Sequence, residues 1–96
     1  MGEMMSLIEA VHELDSFDQE STIYASEPWS KDSRVLVALE SNSSGLADRV
    51  EELRLKYFLE VFIAQEFLQG WISNLERVPG TEEKTERLIQ YASTDA

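Results

Sequence analysis

The chain has 96 residues, with nineteen Asp and Glu against eight Lys and Arg, so it has length for one core and a net charge of −11. That balance argues against binding to a phosphate backbone, which depends on clustered cations. The absence of cysteine excludes disulfides, thiolate nucleophiles, zinc-thiolate sites and iron-sulfur clusters.

At the N-terminus, MGEMMSLIEA has no basic region and no long apolar run, so no signal peptide is expected and a cytoplasmic location is the simplest reading. Gly2 to Ser6 fits a myristoylation pattern, but the acidic sequence that follows lacks the second membrane signal such an anchor needs. Ser6 and Glu9 are spaced as a capping box and predict a helix over about 6–16, with Leu7, Ile8, Val11 and Leu14 apolar and Glu9, His12 and Glu13 polar.

TIYAS at 22–26 and RVLVALE at 34–40 have strand composition, and the intervening EPWSKDS is rich in turn formers. The two runs predict an antiparallel hairpin. Trp29 lies in the connection, either as a plug over the open end of the hairpin or as an exposed aromatic for partner contact. SNSSG at 41–45 is polar and without periodicity, which predicts a loop. Asn42, Ser43 and Ser44 match a glycosylation acceptor, without meaning in a chain that is not secreted.

Asp48 and Glu51 resemble a second helix start. Val50, Leu53, Tyr57, Val61, Ala64, Leu68, Trp71, Ile72 and Leu75 then share one arc at about 100° per residue, predicting a long helix over about 48–76. A helix of about 29 residues is well above the usual length, so a break near Leu55 to Tyr57 is the alternative. Pro79 and Gly80 end the pattern, and Thr81 caps a last helix over about 82–92 whose stripe is Thr85, Leu88, Ile89 and Ala92. This helix is expected to return antiparallel along the long one, with the tail after Tyr91 frayed. The resulting class is α+β in a single domain: N-terminal helix, β-hairpin, long central helix and short C-terminal helix.

The stretch Tyr57–Ile72 is the richest part of the chain, with eleven of its sixteen residues apolar or aromatic. On the helical projection Glu60 falls between Phe67 and Trp71 inside the apolar arc. A desolvated carboxylate there is either a site residue or the partner of Arg34, Arg54, Lys56 or aromatic donors. Leu55, Phe58, Leu59 and Phe62 fall on the opposite arc among Gln65, Glu66 and Gln69. Covering them requires either an intramolecular layer on each side of the helix or a second copy of the chain.

Catalytic signatures are missing. The single histidine, His12, sits on an acidic helix face, and no phosphate loop, nucleophile elbow or calcium loop is present, so no cofactor or metal is expected. TIYASEPWS at 22–30 and KYFLEVFIAQEFLQGW at 56–71 resemble a family of small, acidic, uncharacterised bacterial proteins in which an Ile-Tyr-Ala run, a Pro-Trp pair and a Tyr-Phe-Leu-Glu-Val-Phe-Ile-Ala helix recur in this order. The resemblance covers about two-thirds of the chain. It implies a bacterial cytoplasmic protein and directs attention to Tyr24, Pro28, Trp29, Tyr57, Glu60 and Glu66, without supplying an activity.

Subtraction of catalytic motifs and surplus of aromatics together favour a non-catalytic protein–protein interaction module, homodimeric, with candidate residues Tyr24, Trp29, Tyr57, Phe58, Glu60, Phe62 and Glu66. One alternative is an acidic inhibitor, immunity-like protein or nucleic-acid mimic acting through carboxylates of residues 3–32. That segment holds eight acids and one base. Another is a small-molecule enzyme using Glu60 with Tyr24 or Tyr57. Neither nucleic acid nor a membrane is expected as a direct partner.

Overall fold

The computed structural model describes residues 4–39 and 46–95. The predicted loop at 41–45, with Asn42, Ser43 and Ser44, and the last residue of the second predicted strand, Glu40, lie outside the described residues. The chain runs β1 (Met4–Ser6), α1 (Leu7–His12), a 3₁₀ turn (Leu14–Ser16), β2 (Thr22–Ser26), β3 (Arg34–Ala38), α2 (Leu46–Glu52), β4 (Leu55–Glu60), α3 (Val61–Ser73) and α4 (Thr81–Asp95). This is an α+β arrangement built on a four-stranded antiparallel sheet of order β1-β3-β2-β4.

The capping box forms as the Ser6 and Glu9 spacing requires: the Ser6 N–H donates to Glu9 Oε1 at 2.9 Å and the Glu9 N–H donates to Ser6 Oγ at 3.3 Å. The α-helix is shorter than predicted, stopping at His12, and the 3₁₀ turn continues the path to Ser16. The hairpin also forms, with Ile23 opposite Val37 and Ala25 opposite Val35. Its connection contains a cis Glu27–Pro28 peptide. β1, not expected from sequence, pairs with the outer side of β3, Met4 opposite Leu36 and Ser6 opposite Arg34.

The long helix does not exist. Its span is divided into α2, the edge strand β4 and α3. The break is at Arg54, whose φ of 58° is left-handed. Its N–H donates to the Glu51 carbonyl at 3.0 Å, closing the end of α2 in the position where a helix C-terminus usually has glycine. β4 then pairs with β2, and the register slips between Ile23 and Tyr24: Ile23 faces Leu59 while Tyr24 faces Tyr57. Phe58 is the extra residue of a bulge, and both Phe58 and Leu59 enter the core. Two adjacent strand residues thus face the same side, which strict alternation forbids and which copies the spacing of a helix.

One face of the sheet carries the main core. Ile23, Ala25, Val35, Val37, Phe58 and Leu59 meet Leu7, Ala10 and Val11 of α1, Val61, Ala64 and Leu68 of α3, and Leu88 and Ala92 of α4. The predicted stripe of α4 is therefore its buried side, with Thr85 also fully buried and its hydroxyl donating to the Thr81 carbonyl at 2.8 Å. α4 runs back along α3, Tyr91 stacked on Phe67 at 4.3 Å and Arg87 lying 5.9 Å from Trp71. It stays helical to Asp95 rather than fraying after Tyr91. α3 stops at Ser73, ahead of Pro79, where the Ser73 hydroxyl and Asn74 amide both donate to the Gly70 carbonyl. Leu36 and Leu55 are buried outside the main cluster, on the other sheet face. There Leu53 comes within one cleft of Met4 and Arg34, so the α2–β4 connection crosses that face.

Candidate interaction surface

The seven candidate residues fall in three separate places. Trp29 and Phe58 belong to the interior: their rings meet edge to face at 4.9 Å and 88°, Phe58 is 2% exposed, and Trp29 Nε1 donates to the Ala25 carbonyl at 3.3 Å. Trp29 therefore covers Phe58 from within the same chain. The need for a second copy to bury Phe58 disappears. Leu55 and Leu59 are likewise buried intramolecularly.

Tyr24, Tyr57 and Glu60 share the second sheet face, because Tyr24 pairs with Tyr57 and Thr22 with Glu60. The bulge brings Tyr57 and Glu60, three apart in sequence, to the same side. Tyr57 is 51% exposed. Glu60 is not inside an apolar helical arc between Phe67 and Trp71, as the projection placed it. It ends β4 and occupies the N-cap of α3, half-buried, without a side-chain capping bond. The first N–H groups of α3 are satisfied instead by main chain: Val61 donates to the Ser21 carbonyl at 2.9 Å and Phe62 to that of Gln19 at 3.3 Å. The ion pairs among the described residues, Lys31–Glu82 and Arg77–Glu83, leave Glu60 unmatched by Arg34, Arg54 or Lys56.

Phe62 and Glu66 form the third place, one turn apart on α3. They line a cleft of about 330 Å³ together with Gln19, Glu20, Gln65 and Gln69. Phe62 is 40% exposed, against complete or nearly complete burial of Val61, Ala64 and Leu68 on the inner side of the same helix. Its opposite wall is the turn before β2, where the Asp18 side chain accepts from the Glu20 N–H at 2.9 Å and the Asp18 carbonyl accepts from the Ser21 N–H at 3.0 Å. Gln65 is buried at the base of the helix wall, its amide donating to the Leu14 carbonyl of the 3₁₀ turn at 3.1 Å.

The helical projection set Phe62 among Gln65, Glu66 and Gln69, but gave Gln65 to a polar face and did not reveal Gln19 and Glu20 as neighbours of Phe62. No local signal in QEST reveals that this turn meets α3, because the contact depends on where β4 delivers the helix.

Elsewhere, His12 is exposed and its Nδ1 lies 3.4 Å from Thr81 Oγ1, above a shallow cleft that includes Ile8, Glu9 and Glu13. Glu9 is held below the ordinary glutamate range by the N–H and hydroxyl of Ser6, and Glu83 is held low by the Arg77 guanidinium. Among the described residues no three His, Asp or Glu side chains are grouped to hold a metal ion, and no helix is long and apolar enough to cross a membrane. No protein-family model, curated protein or solved structure matches the chain.

Proposed function

We propose that the chain is a non-catalytic protein–protein interaction module whose contact surface is the Phe62–Glu66 face of α3. The observation that carries this reading is an aromatic ring left 40% exposed at a cleft whose other walls are amides and carboxylates. An apolar anchor within a polar rim is the anatomy of a contact site, and the remaining core is completed without it. A bacterial, cytoplasmic setting belongs to the same proposal.

Affinity capture with the tagged chain from the cells that express it tests the reading. Phe62→Lys is expected to abolish capture while leaving the urea midpoint unchanged. Undiminished capture by that variant would remove α3 as the contact surface.

Self-association is a second reading, favoured by Tyr57, a half-exposed aromatic on the edge strand β4. Sedimentation equilibrium at micromolar concentration decides it, since a strict monomer rules out the homodimer. The acidic-inhibitor reading shares the expectation of a basic partner.

A further inference from the structure

We infer that the cleft between the Gln19–Ser21 turn and α3 seats a cationic amphipathic segment of a partner protein, an apolar side chain of that segment resting on Phe62 and its Lys or Arg heads on Glu20 and Glu66. The inference rests on the interaction-module reading and names the chemistry of the partner.

Charge complementarity selects this occupant. Residues 1–30 hold seven acids and no Lys or Arg, and α3 holds Glu66 and no base, so neither wall of the cleft contains a cation. None of the residues lining the cleft is a Lys or Arg, and on other elements Lys31 pairs with Glu82, Arg77 with Glu83, and Arg87 lies over the Phe67 and Trp71 rings at 5.8 and 5.9 Å. An acidic or nucleic-acid ligand would meet like charge from both sides. A purely apolar ligand would leave Glu20 and Glu66 desolvated without partners.

The walls are also fixed before anything binds. Main-chain bonds from Val61 and Phe62 to the carbonyls of Ser21 and Gln19 hold the turn and the start of the helix in one geometry, and the Gln65 bond to Leu14 ties the helix to the neighbouring 3₁₀ turn. Little ordering cost then falls on the chain at the moment of association. Gln19 and Gln69 add amide donors and acceptors at the rim for the backbone or polar side chains of the segment.

The test uses the intact chain and two synthetic helical peptides. One has Lys and Arg on one face and Leu and Phe on the other; the second has Glu in place of every Lys and Arg. Fluorescence anisotropy is expected to show binding of the cationic peptide, weakened by added salt, and none of the acidic one. Phe62→Ala should weaken binding about tenfold and Phe62→Leu far less, since a fully packed anchor contributes at that level. Glu20→Gln and Glu66→Gln should each weaken it, while Glu86→Gln, on the exposed side of α4, should not. The inference is overturned if Phe62→Ala binds as well as the parent, or if Glu86→Gln costs as much as Glu66→Gln, because either result reduces the attraction to net charge. Dimer formation abolished by Phe62→Ala would overturn it too, by making a second copy the occupant. If neither peptide binds yet Phe62→Lys still abolishes capture from cells, the module reading stands and the basic segment does not.

Discussion

Ser6 shows how one small side chain sets both a boundary and a pH response. It caps α1 through Glu9, and replacement by Ala is expected to lower stability by about 1 kcal/mol in urea unfolding. Because the folded Glu9 carboxyl lies below its unfolded value, the ionised form favours the native state. Its contribution is complete above the ordinary glutamate range and is lost as pH falls through the lowered folded value. Glu9→Gln, which removes the titrating group, should therefore flatten the acid limb of a stability profile, whereas Ser6→Ala, which keeps the backbone N–H that does most to lower Glu9, should flatten it only in part; a limb unchanged in Glu9→Gln would contradict the linkage. Phe58 makes a larger and pH-independent contribution. Phe58→Ala should cost about 3–5 kcal/mol, and Trp29→Ala less, because Trp29 is only partly buried. As the rings touch, the double variant should fall short of the sum by about 0.5–1.5 kcal/mol, measurable in a double-mutant cycle.

The element scale is where β4 decides the fold. Arg54 holds a left-handed backbone that costs a residue with a Cβ about 1–2 kcal/mol. Arg54→Gly is expected to be neutral or stabilising by up to about 1 kcal/mol, whereas Arg54→Val should destabilise by about 1–2 kcal/mol, both read from the urea midpoint. Much of the fold was legible where local rules act alone. Ser6 and Glu9 announced α1, β-branched runs around Pro28 announced the β2–β3 hairpin, and Pro79, Gly80 and Thr81 announced α4. β4 was not legible. An arginine stands where glycine would have signalled the end of α2, and the bulge puts Phe58 and Leu59 on one side, so Leu55–Leu75 reads with a helical period although its first six residues are extended. The candidate surface was read in part for the same reason. Phe62 and Glu66 were named because α3 keeps the helical phase, while the error over β4 set Phe58 on a second helix face that needed a cover, put Glu60 inside the apolar arc, and hid the turn at Gln19 and Glu20.

Over the whole molecule, a radius of gyration of 12.9 Å matches the roughly 12.5 Å expected for a compact chain of this length. Of the residues that suggested a dimer, Leu55, Phe58 and Leu59 are spent inside the chain, Phe58 against Trp29, and Phe62 stays outward. What remains outward is unevenly charged: cations are absent from the first thirty residues and from α3, and three of the eight stand close together as Arg49 of α2, Arg54 of the connection and Lys56 of β4.

The bulge in β4 has one more effect, on what the sheet refuses. Leu55 to Ala64 is a ten-residue run with only two charges, Lys56 and Glu60, the composition from which fibres grow when a flat strand edge is offered to another chain. Here the edge is kinked by Phe58 and carries exposed Lys56, while the opposite edge, β1, is three residues long. Neither border can template a regular ladder. Lys56→Val should consequently leave the native sheet intact yet raise thioflavin-positive aggregation on prolonged incubation, so that a single lysine beside a misaligned phenylalanine guards this apolar run against its own copies.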